Sequence, residues 1–180
     1  MPFNLIQFFS QQLLLDALLI GLPFAYCAFY KKNPWKEFRL ERIPFKQLLN
    51  QGAMAFAAIF ITSFVIIAVA SALHTNDLQP VGKTILFLLA QSPIALAYLL
   101  SIRVIAEELF FRSFLVPRVG ILASTIAFAA AHVLYGSALQ VIGAFVLGLI
   151  LAYYFRKNNS VYPNIVAHAL YNMSALILLY

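Results

Sequence analysis

The stretch AEELFFR (residues 106–112) places two adjacent carboxylates and an arginine inside a long apolar run. Of the 180 residues in the chain, 63% are hydrophobic and 10% are charged, a composition that excludes a soluble globular domain. The apolar runs are about 18 to 25 residues long, the length at which a helix spans the hydrocarbon core, whereas a transmembrane β-barrel needs shorter alternating segments. The sequence therefore predicts an all-α fold, a polytopic transmembrane helical bundle.

The apolar runs indicate about six transmembrane spans. The third run is too long for one perpendicular crossing, so we expect it to tilt or to kink near Pro93. The expected spans are 11–30, 52–73, 85–116, 119–135, 138–156 and 160–179.

Half of the basic residues are concentrated in one segment, KKNPWKEFRLERIPFKQLLN (31–50), which carries six of the twelve Lys and Arg residues. Because basic loops stay on the cytoplasmic side, this placement predicts a multi-pass protein of the cell (plasma) membrane with segment 31–50 in the cytoplasm and the N-terminus outside. The same segment is expected to lie on anionic lipid. The net charge of +6 therefore indicates a membrane surface, and no nucleic acid, as the partner.

Four charged side chains fall within the third expected span: Arg103, Glu107, Glu108 and Arg112. Each charge at a helix centre costs about 2.5 to 3.5 kcal/mol on insertion scales, so these groups must face the bundle interior. Residues four apart share a helix face, which predicts ion pairs between Arg103 and Glu107 and between Glu108 and Arg112. Asp16 is expected to mark the outer end of the first span.

Polar side chains also interrupt the later spans. His132 ends an apolar run in the fourth span. With a rise of about 1.5 Å per residue, Glu107, His132 and His168 lie roughly 15, 20 and 12 Å from the expected cytoplasmic helix ends. This common depth predicts one intramembrane pocket that holds a carboxylate, two imidazoles and an amide. The last span carries a stripe at every fourth residue, formed by Ser160, Asn164, His168 and Asn172.

Three motifs occur in order on successive expected spans. They are Glu-Glu-x-x-x-Arg (107–112), Phe-x-x-x-His (128–132) and His-x-x-x-Asn (168–172). Together they resemble the CPBP intramembrane proteases, the CAAX prenyl endopeptidase and bacteriocin-processing family, also called Abi. The resemblance covers a protease core at 85–180 and leaves N-terminal transmembrane helices at 1–84.

The resemblance implies an intramembrane endopeptidase that hydrolyses a peptide bond with a glutamate-activated water. Glu107 would be the general base and His132 would hold the water, while His168 and Asn172 would stabilise the oxyanion. The implied substrate is a membrane-embedded or lipidated peptide or protein, either a prenylated CAAX end or a leader or propeptide. The supporting residues implied by the motifs are Glu108, Arg112 and Phe128.

Three alternatives stay open. Glu107, His132 and His168 are also a donor set that zinc accepts, although the helical HExxH signature of zinc peptidases is missing. A metal-free site is favoured because the two histidines lie on separate helices with roles of their own, so no cofactor is predicted, and zinc or another divalent metal is the alternative. The others are a catalytically silent binding or immunity protein and, ranked last, a small transporter or proton-coupled channel.

Overall fold

The fold is entirely helical over the part of the chain that the structure describes. A computed structural model describes residues 5–178, with side chains from residue 10 to residue 177. Helices of three kinds follow one another in this range and no strand occurs in it, so the predicted all-α fold is confirmed. The elements are α1 (Leu5–Phe29), α2 (Pro34–Glu37), α3 (Phe45–Ala72), α4 (Gln79–Gln91), α5 (Pro93–Leu100), α6 (Ile102–Glu107), a π-helix (Glu108–Leu115), α7 (Val116–Ala130), a 3₁₀ turn (Val133–Tyr135), α8 (Ala138–Asn158) and α9 (Tyr162–Leu178).

Four helical segments of the described chain are long and apolar enough to cross a membrane. The chain is therefore a membrane protein. The number differs from the six expected spans because the third and fourth fall within one 43-residue segment, which a break in the helix at Gly120 divides. In addition α9, the expected last span, has 17 described residues, and a perpendicular crossing needs about 20. The four segments are Ser10–Phe29, Phe45–Ala72, Pro93–Tyr135 and Ala138–Asn158.

Proline and glycine mark two bends between α4 and the end of α7. Ser92 is extended (φ −157°, ψ 87°) and α5 begins at Pro93, which is the kink that the sequence predicts. Proline is tolerated at this position because the first turn of a helix has no partner for its amide hydrogen. The second bend is at Gly120, whose φ of +86° and ψ of 170° are strained for a residue with a Cβ. This bend separates the expected third and fourth spans.

α3 and α8 hold α9, the helix that carries two of the predicted site residues. Gly52 of α3 faces Val166 of α9, and a Cβ at Gly52 would lie 3.3 Å from Val166 Cγ1. Small residues are typical where transmembrane helices approach closely, since lipid provides little hydrophobic driving force for helix association. The core shared by the three helices consists of Ala55, Ile59, Leu147, Leu151 and Ala167.

The approach of α8 to α7 is closest at Gly148. A Cβ at this position would meet Thr125 Cγ2 at 3.0 Å and Phe128 Cδ1 at 3.1 Å. These distances are shorter than ordinary carbon contacts. Gly148 therefore allows α8 to cover the face of α7 that carries Phe128.

Asp77, in the loop after α3, fixes the start of α8. Its carboxylate accepts hydrogen bonds from the Ser137 hydroxyl at 2.7 Å and from the backbone N–H groups of Ala138 and Leu139 at 2.7 and 3.1 Å. These hydrogen bonds, with that of Ser137 foremost, lower the pKa of Asp77 below its usual value. The loop thus supplies a side-chain cap to a helix 61 positions later in the chain.

The basic segment packs against the ends of the membrane helices. Phe38 is fully buried in a cluster with Cys27 of α1 and Leu109 of the π-helix. Glu37 accepts a hydrogen bond from Arg118 Nη2 at 2.5 Å. The segment is therefore attached to α1 and α7, while its location in the cytoplasm stays a prediction.

Candidate active site

Glu107 is the last residue of α6, and its side chain is buried with 6% exposure. Arg103, one turn earlier, donates a hydrogen bond from Nε to Glu107 Oε1 at 2.7 Å, so the first expected ion pair is present. No hydrogen bond from the described side chains reaches the second carboxylate oxygen. Glu107 lies within electrostatic range of His132 and Tyr135.

Asp16 of α1 supplies a second carboxylate to the same guanidinium. Arg103 donates from Nη1 to Asp16 Oδ1 at 2.7 Å, and the Tyr98 hydroxyl donates to Asp16 Oδ2. With 3% exposure, Asp16 is buried against α6, and its expected place at the outer end of the first span stays a prediction. The sequence shows a carboxylate within an apolar run, but its partner is 87 positions away, beyond the reach of helical spacing.

Glu108, the first residue of the π-helix, has no exposed surface and faces α9. His168 Nδ1 lies 2.8 Å from Glu108 Oε1, and Asn164 donates from Nδ2 to Oε2 at 3.3 Å. The expected pair with Arg112 is present as a longer contact, with Nε 3.4 Å from Oε2. A carboxylate that accepts from Nδ1 of an imidazole fixes the ring orientation and directs Nε2 away from the pair. Glu108 therefore orients His168.

The change from α-helix to π-helix occurs between the two adjacent glutamates. α6 ends at Glu107, and the π-helix runs from Glu108 to Leu115. Because π-helical turns are wider than α-helical turns and recur at functional sites, this segment reorients the side chains that follow Glu107. Adjacent residues of a helix already point about 100° apart, so Glu107 pairs with Arg103, the partner of Asp16 on α1, whereas Glu108 pairs with His168 of α9.

His132 lies directly after α7, at the end of a helical turn that begins at Phe128. Its Nδ1 is 2.8 Å from the Phe128 carbonyl oxygen. Since a carbonyl oxygen only accepts, Nδ1 carries the hydrogen and Nε2 of the neutral ring is an acceptor. The Tyr135 ring lies 5.4 Å from the imidazole, centroid to centroid. The free Nε2 can therefore accept a hydrogen bond from a water molecule.

Phe128 packs near three of the other motif side chains. Its ring centroid lies 4.6 Å from that of His132 and 6.1 Å from that of His168. The guanidinium carbon of Arg112 lies 4.0 Å from the Phe128 centroid, within the range of a cation–π interaction. Phe128 packs against His132 as expected, and it also separates His132 from the Arg112–Glu108 pair.

All three motifs lie within one range that matches a known family. Residues 87–174 match the family model described as type II CAAX prenyl endopeptidase Rce1-like. The chain resembles this family over that range. The match confirms the predicted resemblance to CAAX-type proteases, and in general terms the chain is a CAAX-type intramembrane endopeptidase. No curated protein and no solved structure matches the chain.

In this CAAX-type endopeptidase the two asparagines of the α9 stripe have different surroundings. Asn172 is half-buried and has no hydrogen bond to the described residues. Asn164 is fully buried and donates from Nδ2 to the Leu151 carbonyl at 2.7 Å as well as to Glu108. Asn164 belongs to the predicted four-residue stripe, but none of the three motifs assigned it a role. Its contacts make it a support for Glu108.

The structure also bears on the alternative metal set. Among residues 10–177, no group of three or more His, Cys, Asp or Glu side chains is arranged to hold a metal ion. Glu107 is engaged by Arg103, His132 by a backbone carbonyl, and His168 by Glu108. These contacts occupy Nδ1 of each imidazole and one oxygen of Glu107, and they leave Nε2 of both rings and the second carboxylate oxygen uncommitted. The choice between a metal-free site and a zinc site therefore stays a prediction.

Proposed function

We propose that the chain hydrolyses a peptide bond of a membrane-associated substrate with a water molecule activated by Glu107. The observation that carries this proposal is the buried Glu107 carboxylate: Arg103 holds one oxygen, and the other oxygen has no hydrogen bond from the described residues. A general base must reach the proton that it removes, and an uncommitted carboxylate oxygen in a buried pocket meets that requirement.

The proposed reaction begins with a water molecule between Glu107 and Nε2 of His132. Glu107 takes one proton from the water, and the resulting hydroxide oxygen forms a bond to the carbonyl carbon of the substrate. The tetrahedral intermediate then collapses as its C–N bond breaks. Glu107 returns the proton to the leaving nitrogen. The carboxylate is thus unchanged at the end of each cycle.

The oxyanion of this intermediate is assigned to His168 and Asn172. In this role His168 carries a hydrogen on both ring nitrogens, with Nδ1–H donated to Glu108 and Nε2–H donated to the oxyanion. The side-chain amide of Asn172 is uncommitted within the described residues. Fixed donors at a site with little water stabilise a developing negative charge more strongly than donors in bulk solvent do. Arg112 and Phe128 support this arrangement from behind, through Glu108 and His168.

The substrate class follows from the membrane location and the family. A peptide bond at the depth of Glu107 must belong to a membrane-embedded or lipidated chain. Prenylated CAAX ends and leader or propeptide segments both satisfy this condition. We further propose that the chain resides in the plasma membrane with segment 31–50 on cytoplasmic anionic lipid.

The proposal is tested with purified protein in liposomes and a panel of internally quenched peptides, prenylated and leader-type. Wild type is compared with Glu107→Gln, with and without a chelator. Glu37→Gln is the control, because Glu37 also pairs with an arginine but lies outside the site. We expect Glu107→Gln to lose cleavage while wild type and Glu37→Gln retain it. We expect the chelator to have no effect on cleavage. Loss of cleavage with the chelator would instead support a metal-dependent site.

A catalytically silent binding protein is the second candidate, and the Arg103–Glu107 ion pair is the observation that favours it. An arginine bound to the base occupies part of the group that the reaction needs. If the protein is catalytically silent, wild type and Glu107→Gln should bind the same partner, and neither should cleave a peptide in the panel.

A further inference from the structure

Two carboxylates share one guanidinium at the centre of the bundle. Arg103 donates from Nε to Glu107 and from Nη1 to Asp16, each at 2.7 Å. All three side chains are buried. Asp16 lies on α1, outside the range 87–174 that matches the family, so the family match assigns it no role.

The two hydrogen bonds use different nitrogens of the guanidinium. Arginine prefers to bind one carboxylate through two parallel hydrogen bonds when the carboxylate can present both oxygens. Here each carboxylate receives a single hydrogen bond from Arg103, and the second oxygen of Asp16 accepts from Tyr98. The second oxygen of Glu107 is consequently left without a donor from the described residues.

We propose that Asp16 is a positioning residue for Glu107, which holds Arg103 so that the guanidinium occupies only one oxygen of the general base. This inference rests on the proposed role of Glu107 for its catalytic consequence. Without the Asp16 carboxylate, Arg103 is free to rotate and to engage both oxygens of Glu107. The water would then lose its acceptor.

The packing of α1 keeps Asp16 in place. Leu19, one turn after Asp16, belongs to the same core cluster as Ala106 and Phe128. α1 is in contact with α6 and with the π-helix, the two elements that carry the adjacent glutamates. The first helix is thus built into the site, and Asp16 is the residue through which it acts on Glu107.

The kinetic test compares Asp16→Asn with wild type on a quenched peptide that wild type cleaves. We expect kcat to fall about 10- to 100-fold, as for other residues that orient a catalytic group, with little change in KM because substrate contacts are unaltered. Asp16→Glu, which keeps the carboxylate, should recover part of the loss. Glu37→Gln should retain wild-type kcat. An unchanged kcat in Asp16→Asn would overturn the proposal.

A second test needs no activity. In wild type, Asp16→Asn should lower the thermal midpoint because it removes a partner of Arg103. In an Arg103→Gln background, the same substitution should raise the midpoint, because Asp16 is then a buried carboxylate without its cation. If Asp16→Asn changes the thermal midpoint in the same direction in both backgrounds, the inference that Asp16 and Glu107 share Arg103 is wrong. If it changes the midpoint in opposite directions while Glu107→Gln retains full activity, that inference holds and the proposed catalytic role of Glu107 is wrong.

Discussion

Nδ1 of His168 lies 2.8 Å from Oε1 of Glu108, although the two residues are 60 positions apart in the chain. This contact ties α9 to the first residue of the π-helix. Glu108 also accepts from Asn164 and lies 3.4 Å from Arg112 Nε. The second glutamate of the motif therefore organises the His168 side of the site, while the first pairs with Arg103, the partner of Asp16 on α1.

Glu108→Gln should destabilise the protein as well as inactivate it. The substitution leaves the Arg112 guanidinium buried without its counter-charge, and breaking a buried pair in this way costs about 3–5 kcal/mol. It also removes the charged acceptor that orients His168. Thermal unfolding in detergent measures the first effect. Glu37→Gln is the control, because a partly exposed pair contributes at most about 1 kcal/mol. Equal midpoints for the two variants would contradict the central place of Glu108.

Phe128→Leu should reduce activity more than stability. Leucine retains an apolar side chain but loses the ring face beneath the Arg112 guanidinium and the contacts with both imidazoles. A desolvated cation–π interaction contributes about 2 kcal/mol. Peptide cleavage and thermal unfolding are measured together. Phe64→Leu, at a position that is 55% exposed on α3, should leave both quantities close to wild type. Full activity of Phe128→Leu would show that the ring does not position the histidines.

Gly148→Ala should cost about 1–3 kcal/mol, the usual range for overpacking. The new Cβ would lie 3.0 Å from Thr125 Cγ2 and 3.1 Å from Phe128 Cδ1, so α8 must shift away from α7. Gly143→Ala on the same helix provides a matched control, because a Cβ there has no neighbour within 4 Å. Thermal unfolding of both variants decides the question. A similar midpoint for both alanine variants would contradict the close approach.

Asp77→Asn should remove an acid-dependent part of the stability. Hydrogen bonds from Ser137 and the start of α8 lower the pKa of Asp77 in the folded state. Its contribution is therefore fully present above the unfolded-state pKa of about 3.9 and is lost as the pH falls through the lower folded-state pKa. Thermal midpoints measured from neutral pH down to acid pH should fall less steeply in Asp77→Asn. The exposed carboxylate variant Glu41→Gln should follow the wild-type curve, and identical curves for all three proteins would contradict the cap.

Local spacing explains what could be predicted from the sequence. The pairs Arg103–Glu107 and Glu108–Arg112, and the packing of Phe128 on His132, join residues four positions apart on a helix. Helix geometry alone brings such residues together. The kink at Pro93 follows from the chemistry of proline in the same way.

The remaining contacts depend on tertiary structure. Asp16 and Arg103 are 87 positions apart, and His168 and Glu108 are 60 positions apart. Both contacts depend on how separate helices are rotated relative to each other. The π-helix has no signal in the hydrophobic pattern, because a single local change of pitch is indistinguishable from a continuous apolar helix. The structure has four long apolar segments where six spans were expected, and apolar length alone does not show where a helix bends.

The most direct test of the account is the rate at which reconstituted wild type and Glu107→Gln hydrolyse the same quenched peptide. Glutamine keeps the size of the side chain and removes its capacity to take a proton. We expect kcat to fall by about 10²- to 10⁴-fold, the range that general-base catalysis contributes, while the protein stays folded by thermal unfolding. A folded Glu107→Gln that cleaves the peptide at the wild-type rate would contradict the assignment of Glu107 as the base.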